Sequence, residues 1–324
     1  MSHARMSEEN GASWPSNGLS EVPYTVYTDQ STYDREQELL YQGQTWNYLC
    51  LEIELKDAGD YVATTVGEVA VIAVRDRKGN INAFANRCVH RGNLLCMEPK
   101  GNVRKFSCIY HGWTYDLEGR LTGVAFENGV QGKGGMPPEF RKEEHKLRPM
   151  RVAVVGGIVF GTFSDEVADL ETWLGEDVTR GIVRVMNRTP YILGRNTQVL
   201  PNNWKLYFEN VKDTYHASIL HLFLTTFKIN KLTMPGGIYI NGDGGNYYSY
   251  AKLDFEAESA AYEDEGLRSE SSFQLEDNSI VDSIDEYGDG VSVQILSVMP
   301  GMVLQQVRNT IAIRVIRPRG VDRT

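Results

Sequence analysis

The sequence predicts an α+β protein in two parts, an all-β domain followed by a mixed α/β domain. Three observations predict it. From Trp46 to about Thr162, short apolar and β-branched runs are punctuated by turn signals. After Tyr191 strand-like runs are interrupted by one long helical stretch. Within the β region, Cys and His recur as two matched short segments, Cys88-Val89-His90 and Cys108-Ile109-Tyr110-His111, seventeen residues apart.

Residues 1–40 read as an N-terminal arm, polar and flexible over its first twenty or so positions, with a short amphipathic helix over 34–42. Residues 41–165 form the β domain. Glu68 to Val74 is apolar and β-branched, Asp76-Arg77-Lys78-Gly79-Asn80 is turn-prone, and Ile81 to Ala85 returns as a second strand, so a hairpin delivers the chain to Cys88. Tyr115 to Leu121 gives another hairpin directly after the second Cys/His segment. A loop rich in glycine follows (Gly129, Gly132, Gly134, Gly135), and Val152 to Phe163 closes the domain as one or two buried strands. Residues 166–324 form the second domain. It is expected to hold a helix over 166–175, a long helical stretch from Asn203 to Leu224, and strands at 247–253, 291–298 and 311–316. Glu256 to Asp289 is strongly acidic and reads as solvated helix and loop.

Composition narrows the function. The length of 324 residues suits two domains. A formal charge of −10, with no basic patch carrying interleaved aromatics, argues against a nucleic-acid partner. The longest apolar run, Val152 to Phe163, is broken by Gly156 and Gly157 and is too short to span a bilayer. The N-terminus lacks the apolar core of a signal peptide, so a cytoplasmic protein is expected. Of the four cysteines, Cys50 and Cys96 read as small buried hydrophobes rather than a disulfide.

Two thiolates and two imidazoles on a matched pair of turns suit a cluster with Cys on one iron and His on the other. Neutral imidazole in place of thiolate removes negative charge and raises the reduction potential. Zinc is the rival, because two Cys and two His also suit a tetrahedral site. Against zinc, Cys-x-His is tighter than the usual Cys-x2-4-Cys knuckle.

A second constellation lies downstream. The six histidines are His3, His90, His111, His145, His216 and His221. Asp213 and His216 are three apart and share a face on a helix. His216 and His221 are five apart, about 140° round a regular helix, so both reach one ion only if the helix bulges or ends between them. Two histidines and a carboxylate on one face of a ferrous ion leave positions open for oxygen and substrate. A pair of helix-surface histidines is the plain alternative. Asp213 reads as a residue that orients His216 or carries electrons toward it, rather than as the iron's carboxylate. Its own alternative is an ordinary surface acid.

Cys88-Val89-His90-Arg91-Gly92 and Cys108-Ile109-Tyr110-His111-Gly112-Trp113 resemble the two loops of Rieske iron–sulfur proteins. With His216 and His221 downstream, the chain from Val22 to Arg317 resembles the large (α) subunit of Rieske non-haem iron ring-hydroxylating oxygenases. The segments 202–216, 46–52 and 294–301 are most similar to the branch acting on aromatic carboxylates, terephthalate in particular, with anthranilate, salicylate or another benzoate as alternatives. The resemblance implies a Rieske domain with a 2Fe-2S cluster on Cys88, His90, Cys108 and His111. A helix-grip α/β catalytic domain with mononuclear Fe(II) on His216 and His221 would follow. It implies an α3 or α3β3 assembly, the latter with a small β subunit, in which Asp213 couples one subunit's cluster to its neighbour's iron. It also implies a reductase, directly or through a ferredoxin, supplying NAD(P)H electrons, and O2 adding to the ring as a cis-diol or by monohydroxylation. The family's carboxylate iron ligand lies far downstream of the second histidine, so the expectation is a C-terminally truncated chain with that ligand beyond Thr324. A Rieske electron carrier without its own chemistry is the alternative, and the long second domain counts against it.

A substrate carboxylate needs a cationic partner, and a guanidinium can hold it with two hydrogen bonds. Arg308 and Arg314 share a parity in the expected strand region 305–317. Arg314 is the favoured substrate-binding residue, against a solvent-facing strand arginine.

Overall fold

In the computed structural model of the chain, the structure describes residues 21–227, 229–230, 234–241, 245–253, 272–277 and 284–324. The arm expected over residues 1–20, His3 and most of the acidic stretch 256–289 lie outside the described residues. Contacts divide the chain into Asp34–Leu170 as one unit and Glu171–Thr324, joined by the segment ending at Tyr33, as the other.

The first unit is built on a seven-stranded antiparallel sheet. Its strand order is Asn47–Leu51, Ile158–Thr162, Pro149–Val155, Ile81–Ala85, Val69–Arg75, Asp60–Val66 and Lys100–Asn102. Val71, Ile72, Ala73 and Val74 are all buried, which is why Val69–Arg75 reads as a continuous β-branched run rather than an alternating one. Its hairpin to Ile81–Ala85 is closed by buried Asp76, whose Oδ1 accepts the N–H of Lys78 at 2.8 Å and of Asn80 at 2.9 Å. Asp116 repeats the device, accepting from Glu118 at 2.9 Å and Arg120 at 3.0 Å. Gly119 in that turn has φ 78°, and a Cβ there would sit 3.1 Å from the Phe84 ring. A three-stranded sheet, Phe106–Ser107, Thr114–Tyr115 and Leu121–Gly123, packs its Phe106, Tyr115 and Leu121 with Ile72, Val74 and Phe84 of the large sheet. Cys88, Cys96 and Cys108 belong to this same core. The helix expected over 34–42 is present as Gln30–Glu36, continued by a π-helical turn over Gln37–Tyr41.

The second unit holds a five-stranded antiparallel sheet ordered Gly236–Ile240, Tyr247–Lys252, Val291–Val298, Met302–Val307 and Thr310–Val315. The helix Glu176–Val185 lies on one face. It approaches at Gly181, where a Cβ would come within 3.0 Å of Leu296 and 3.1 Å of Tyr248. Gln294 donates to the Gly181 carbonyl at 2.9 Å, and Arg184 reaches both oxygens of Asp289 at 2.6 and 2.8 Å. The helix Trp204–Lys212 packs on Val291–Val298 through the unit's core, with Trp204, Phe208 and Val211 buried. Asn203 caps it: Oδ1 accepts from Lys205 N at 3.1 Å, while Nδ2 donates to Val321 O at 2.7 Å.

Three expectations need correction. The long helix over 203–224 is three shorter ones, Trp204–Lys212, Ala217–Leu220 and Leu222–Thr226. The helix over 166–175 shrinks to Leu170–Leu174. Arg308 is not on a strand; it sits in the turn between Met302–Val307 and Thr310–Val315 with φ 54°, so its sequence parity with Arg314 carries no facing information. The helix Glu176–Val185 and the strands Asp60–Val66, Gly236–Ile240 and Met302–Val307 were not anticipated. Among the described residues no helix is long and apolar enough to cross a membrane.

Asn203→Ala removes the cap and the donor to the part-buried Val321 carbonyl. A cap is worth about 1 kcal/mol and an ordinary hydrogen bond about 0.5–1.5 kcal/mol, so the variant is expected to destabilise the second unit by about 1.5–2.5 kcal/mol. Thermal denaturation followed by tryptophan fluorescence checks it.

Candidate metal centres

The two Cys/His segments fold as near copies of one loop. Cys88 N–H bonds to the Asn93 carbonyl at 2.8 Å, and Gly92 N–H bonds back to the Cys88 carbonyl at 2.8 Å. In the second loop Cys108 N–H bonds to the Trp113 carbonyl at 2.8 Å, and Gly112 N–H to the Cys108 carbonyl at 3.0 Å. Gly92 and Gly112 close these turns at φ 73° and 66°, a region that admits glycine without strain. The closure turns both thiols inward: Cys88 is 2% exposed and Cys108 3%, and both are free thiols. The imidazoles face outward, with the His90 and His111 ring centroids 4.5 Å apart.

Three neighbours that the sequence did not single out shape this site. The Tyr115 hydroxyl lies 3.3 Å from Cys88 Sγ and accepts the Val89 N–H at 3.3 Å. Burial, followed by its bond to Cys88, pushes the Tyr115 hydroxyl well above the usual phenol range, so it keeps its proton and can donate to a thiolate. Trp113 stacks on His90, centroids 4.9 Å apart and planes 7° from parallel. Buried Asn86 fixes the segment after the first loop: Oδ1 accepts from Leu95 and Cys96 N–H, each at 3.0 Å, and Nδ2 donates to Cys96 O at 2.7 Å. Cys96 itself has its thiol pushed up to about 11 by burial, which leaves it a packing residue.

In the second unit the helix breaks after Lys212, and His216 and His221 then stand at the two ends of one helical turn, Ala217–Leu220. Asp213 leaves the helix with φ −80°, ψ 105°, and its Oδ1 accepts the N–H of Tyr215 at 2.8 Å and of His216 at 3.3 Å. This local turn competes with helix continuation. His221 then separates the next two helical turns at φ −92°, ψ 73°. The result is two imidazoles with centroids 5.2 Å apart, where a regular helix would have turned them away from each other. The residues between them stay helical, and the helix ends only at His221, the second of the pair.

The Asp213 carboxylate stands 3.2 Å from His216 Nδ1, close enough for attraction but out of line for a hydrogen bond, so that buried nitrogen has no hydrogen-bond partner. On the far side of the ring, Asn210 Nδ2 lies 3.2 Å from Nε2. With Asn210 so oriented, Nε2 accepts and the ring proton belongs to Nδ1, facing Asp213. Among the described residues no group of three or more His, Cys, Asp or Glu could hold a metal ion. Arg314 is exposed on the edge strand Thr310–Val315 and donates to Tyr207 Oη at 3.2 Å. Tyr207 stands on the helix that leads to Asp213.

Comparison with known proteins bears on both sites. Residues 45–132 match the Rieske [2Fe-2S] domain family, and residues 183–324 match the catalytic domain of the ring-hydroxylating alpha subunit. The terephthalate 1,2-dioxygenase terminal oxygenase component subunit alpha 2 of Comamonas sp. is 48% identical, over 97% of this chain and 76% of the relative. The chain belongs to the alpha subunits of the ring-hydroxylating Rieske non-haem iron oxygenases. The anthranilate 1,2-dioxygenase large subunit of Burkholderia cepacia is another relative, 41% identical over 95% of this chain and 74% of its own length. In fold, this alpha subunit matches the naphthalene 1,2-dioxygenase of Rhodococcus sp. bound to indole, with a TM-score of 0.72 at 24% identity over 93% of this chain and 71% of that one.

As a member, it uses a 2Fe-2S cluster and a mononuclear iron. The residues present fit the cluster, since two free thiols sit buried beside an undissociated hydroxyl and two imidazoles face out. The paired rings of His216 and His221, centroids 5.2 Å apart, fit two ligands of the iron.

Tyr115→Phe removes a hydrogen bond that is stronger to the more negative, reduced cluster. If that preference is about 1 kcal/mol, the potential falls by about 40 mV for one electron. Spectroelectrochemical titration reads the shift directly.

Proposed function

We propose that this alpha subunit is the oxygenase component that adds O2 to an aromatic carboxylate, terephthalate first among candidates. The observation that carries the reading is the pair of site geometries. Buried thiols with outward imidazoles lie in one unit, and two converging histidines cap the ends of one helical turn in the other. Terephthalate is favoured by the 48% identical relative whose name states it; anthranilate, salicylate and other benzoates remain the alternatives. The proposed division is an arm over 1–40, a cluster domain over 41–165 and a catalytic domain over 166–324, in a cytoplasmic protein.

In this reading Cys88 and Cys108 would hold one iron of the cluster and His90 and His111 the other, and the cluster would supply one-electron transfer. The donor is a reductase, with or without a ferredoxin, spending NAD(P)H. His216 and His221 hold the mononuclear iron through their neutral rings. When bound, that iron supplies the site at which oxygen is activated next to the substrate. Asp213 keeps the His216 proton on Nδ1, leaving the Nε2 lone pair to the metal; the Asn210 amide must then yield its place there. Asp213 also stands as the coupling residue toward the cluster of a neighbouring subunit in an α3 or α3β3 assembly. Arg314 binds the ring carboxylate with two N–H groups, and Tyr207 fixes the guanidinium's direction.

His216→Ala and His221→Ala are each expected to lose one iron per chain while acid-labile sulfide is unchanged; zinc in place of both metals, with no sulfide, would sink the account. Supplied with a reductase, the enzyme should convert terephthalate to its cis-dihydrodiol, seen by chromatography against anthranilate, salicylate and benzoate. Arg314→Met should raise KM for the carboxylate substrate by roughly 10–100-fold, the worth of a charge-assisted hydrogen bond, with a much smaller change in kcat.

A further inference from the structure

The first unit carries an aromatic series that the two metal sites do not account for. Trp113, buried among the core residues, lies parallel to His90. His145 meets the indole edge-on, centroids 5.7 Å apart at 73°, and Phe140 does the same at 5.8 Å and 71°. Phe140 and His145 are themselves 4.6 Å apart. His145 is half-buried and is pinned at both ends. Its backbone N–H bonds to Lys142 O at 3.0 Å in the 3₁₀ turn Lys142–Glu144, and its ring Nδ1 pairs with Arg141 O at 2.8 Å. A carbonyl only accepts, so Nδ1 carries the proton and the ring is held in one orientation. His145 is also the one described histidine outside the two proposed ligand sets.

We infer that Trp113 and His145 form the route by which electrons from the donor protein enter the cluster at His90. The inference rests on the assignment of His90 as a cluster ligand. A cluster that both accepts and passes on electrons needs two openings. The edge where His90 meets His111 provides one. The contact series His90, Trp113, His145 provides a second, running from the ligand ring through a buried indole to a half-exposed ring. Each ring of the series lies in stacked or edge-on van der Waals contact with the next, so the path from His145 to His90 crosses only two ring contacts. One electron passes from the reduced donor to the oxidised cluster. Trp113 and His145 stay closed-shell, and no bond forms or breaks. Trp113 is thus a positioning residue for electron entry, acting through His90.

The test uses the full chain with its cluster and a reduced plant-type 2Fe-2S ferredoxin as probe, following cluster bleaching by stopped flow. Trp113→Leu should slow reduction by about tenfold or more, His145→Leu severalfold, and Trp113→Phe least. The midpoint potential of each variant should stay within 59 mV of the parent, the one-electron equivalent of a tenfold change in equilibrium constant. Reduction by dithionite, a small anion with direct access to His90, should be unaffected. Unchanged ferredoxin rates in His145→Leu, or a slowing that tracks a larger fall in potential, would overturn the inference. If Trp113→Leu fails to hold its cluster, His145→Leu decides alone, since that ring touches no proposed ligand. Absence of labile sulfide from the parent chain would instead mark failure of the cluster assignment itself.

Discussion

Everything at the cluster depends on how each cysteine turn disposes of its own backbone polar groups. The cysteine N–H is bonded to a carbonyl five residues on, and its C=O receives the N–H of a glycine four residues on. With both groups satisfied inside the loop, the loop can be pushed into an apolar core without stranding a donor or acceptor. Only then can the thiol point inward and the histidine outward. The glycines follow from the tight return of the chain, the Asp76 and Asp116 turns set the hairpins of the sheets beneath the loops, and the Tyr115 hydroxyl fills the polar need of the Cys88 sulfur.

The two centres meet different physical demands. The cluster ligands are embedded in a close-packed sheet core, where a small displacement disturbs many neighbours at once. The histidine pair sits on short helical turns around a break, with Tyr215 and Leu220 largely exposed beside it. A rigid surrounding suits a group that only changes charge. A looser one suits a metal whose coordination must open and close during turnover. The hydrogen bonds differ in the same sense. The cluster loops are closed by backbone bonds, whereas His216 is flanked by two side chains, Asp213 and Asn210, that can rearrange.

Much of this was legible in the amino-acid order because it is local. The hairpin around Asp76–Asn80 announced itself by β-branched runs and five turn-prone residues, and the Cys/His spacing announced the cluster loops. The helix break was legible as a requirement, since five residues on a regular helix separate two rings. It was not legible as a location: the helix gives out at His221 itself, while the Asp213 carboxylate, capturing two N–H groups, sets a separate break before His216. Arg308 shows the reverse error: parity along a presumed strand fails once a two-residue turn intervenes. Tyr115, Trp113 and Asn210 carried no local mark. Tyr115 reaches a sulfur 27 positions earlier, and such a partner becomes visible only when the sheet is assembled.

The division of the chain has a consequence for biogenesis. The cluster unit, Asp34–Leu170, is one uninterrupted stretch, whereas the iron-site unit joins the segment ending at Tyr33 to Glu171–Thr324. One of its fastening points spans that interruption, and another closes the longer stretch on itself. Tyr33 Oη accepts the Gly320 N–H at 3.0 Å, and Leu200 and Thr324 exchange backbone bonds at 2.9 and 3.1 Å. During synthesis the contiguous unit can fold as soon as its last strand emerges, while the other must hold its first segment idle until Gly320 has been made. Cluster insertion can therefore precede completion of the iron site, and the ribosome delivers the electron carrier before the centre that will consume its electrons.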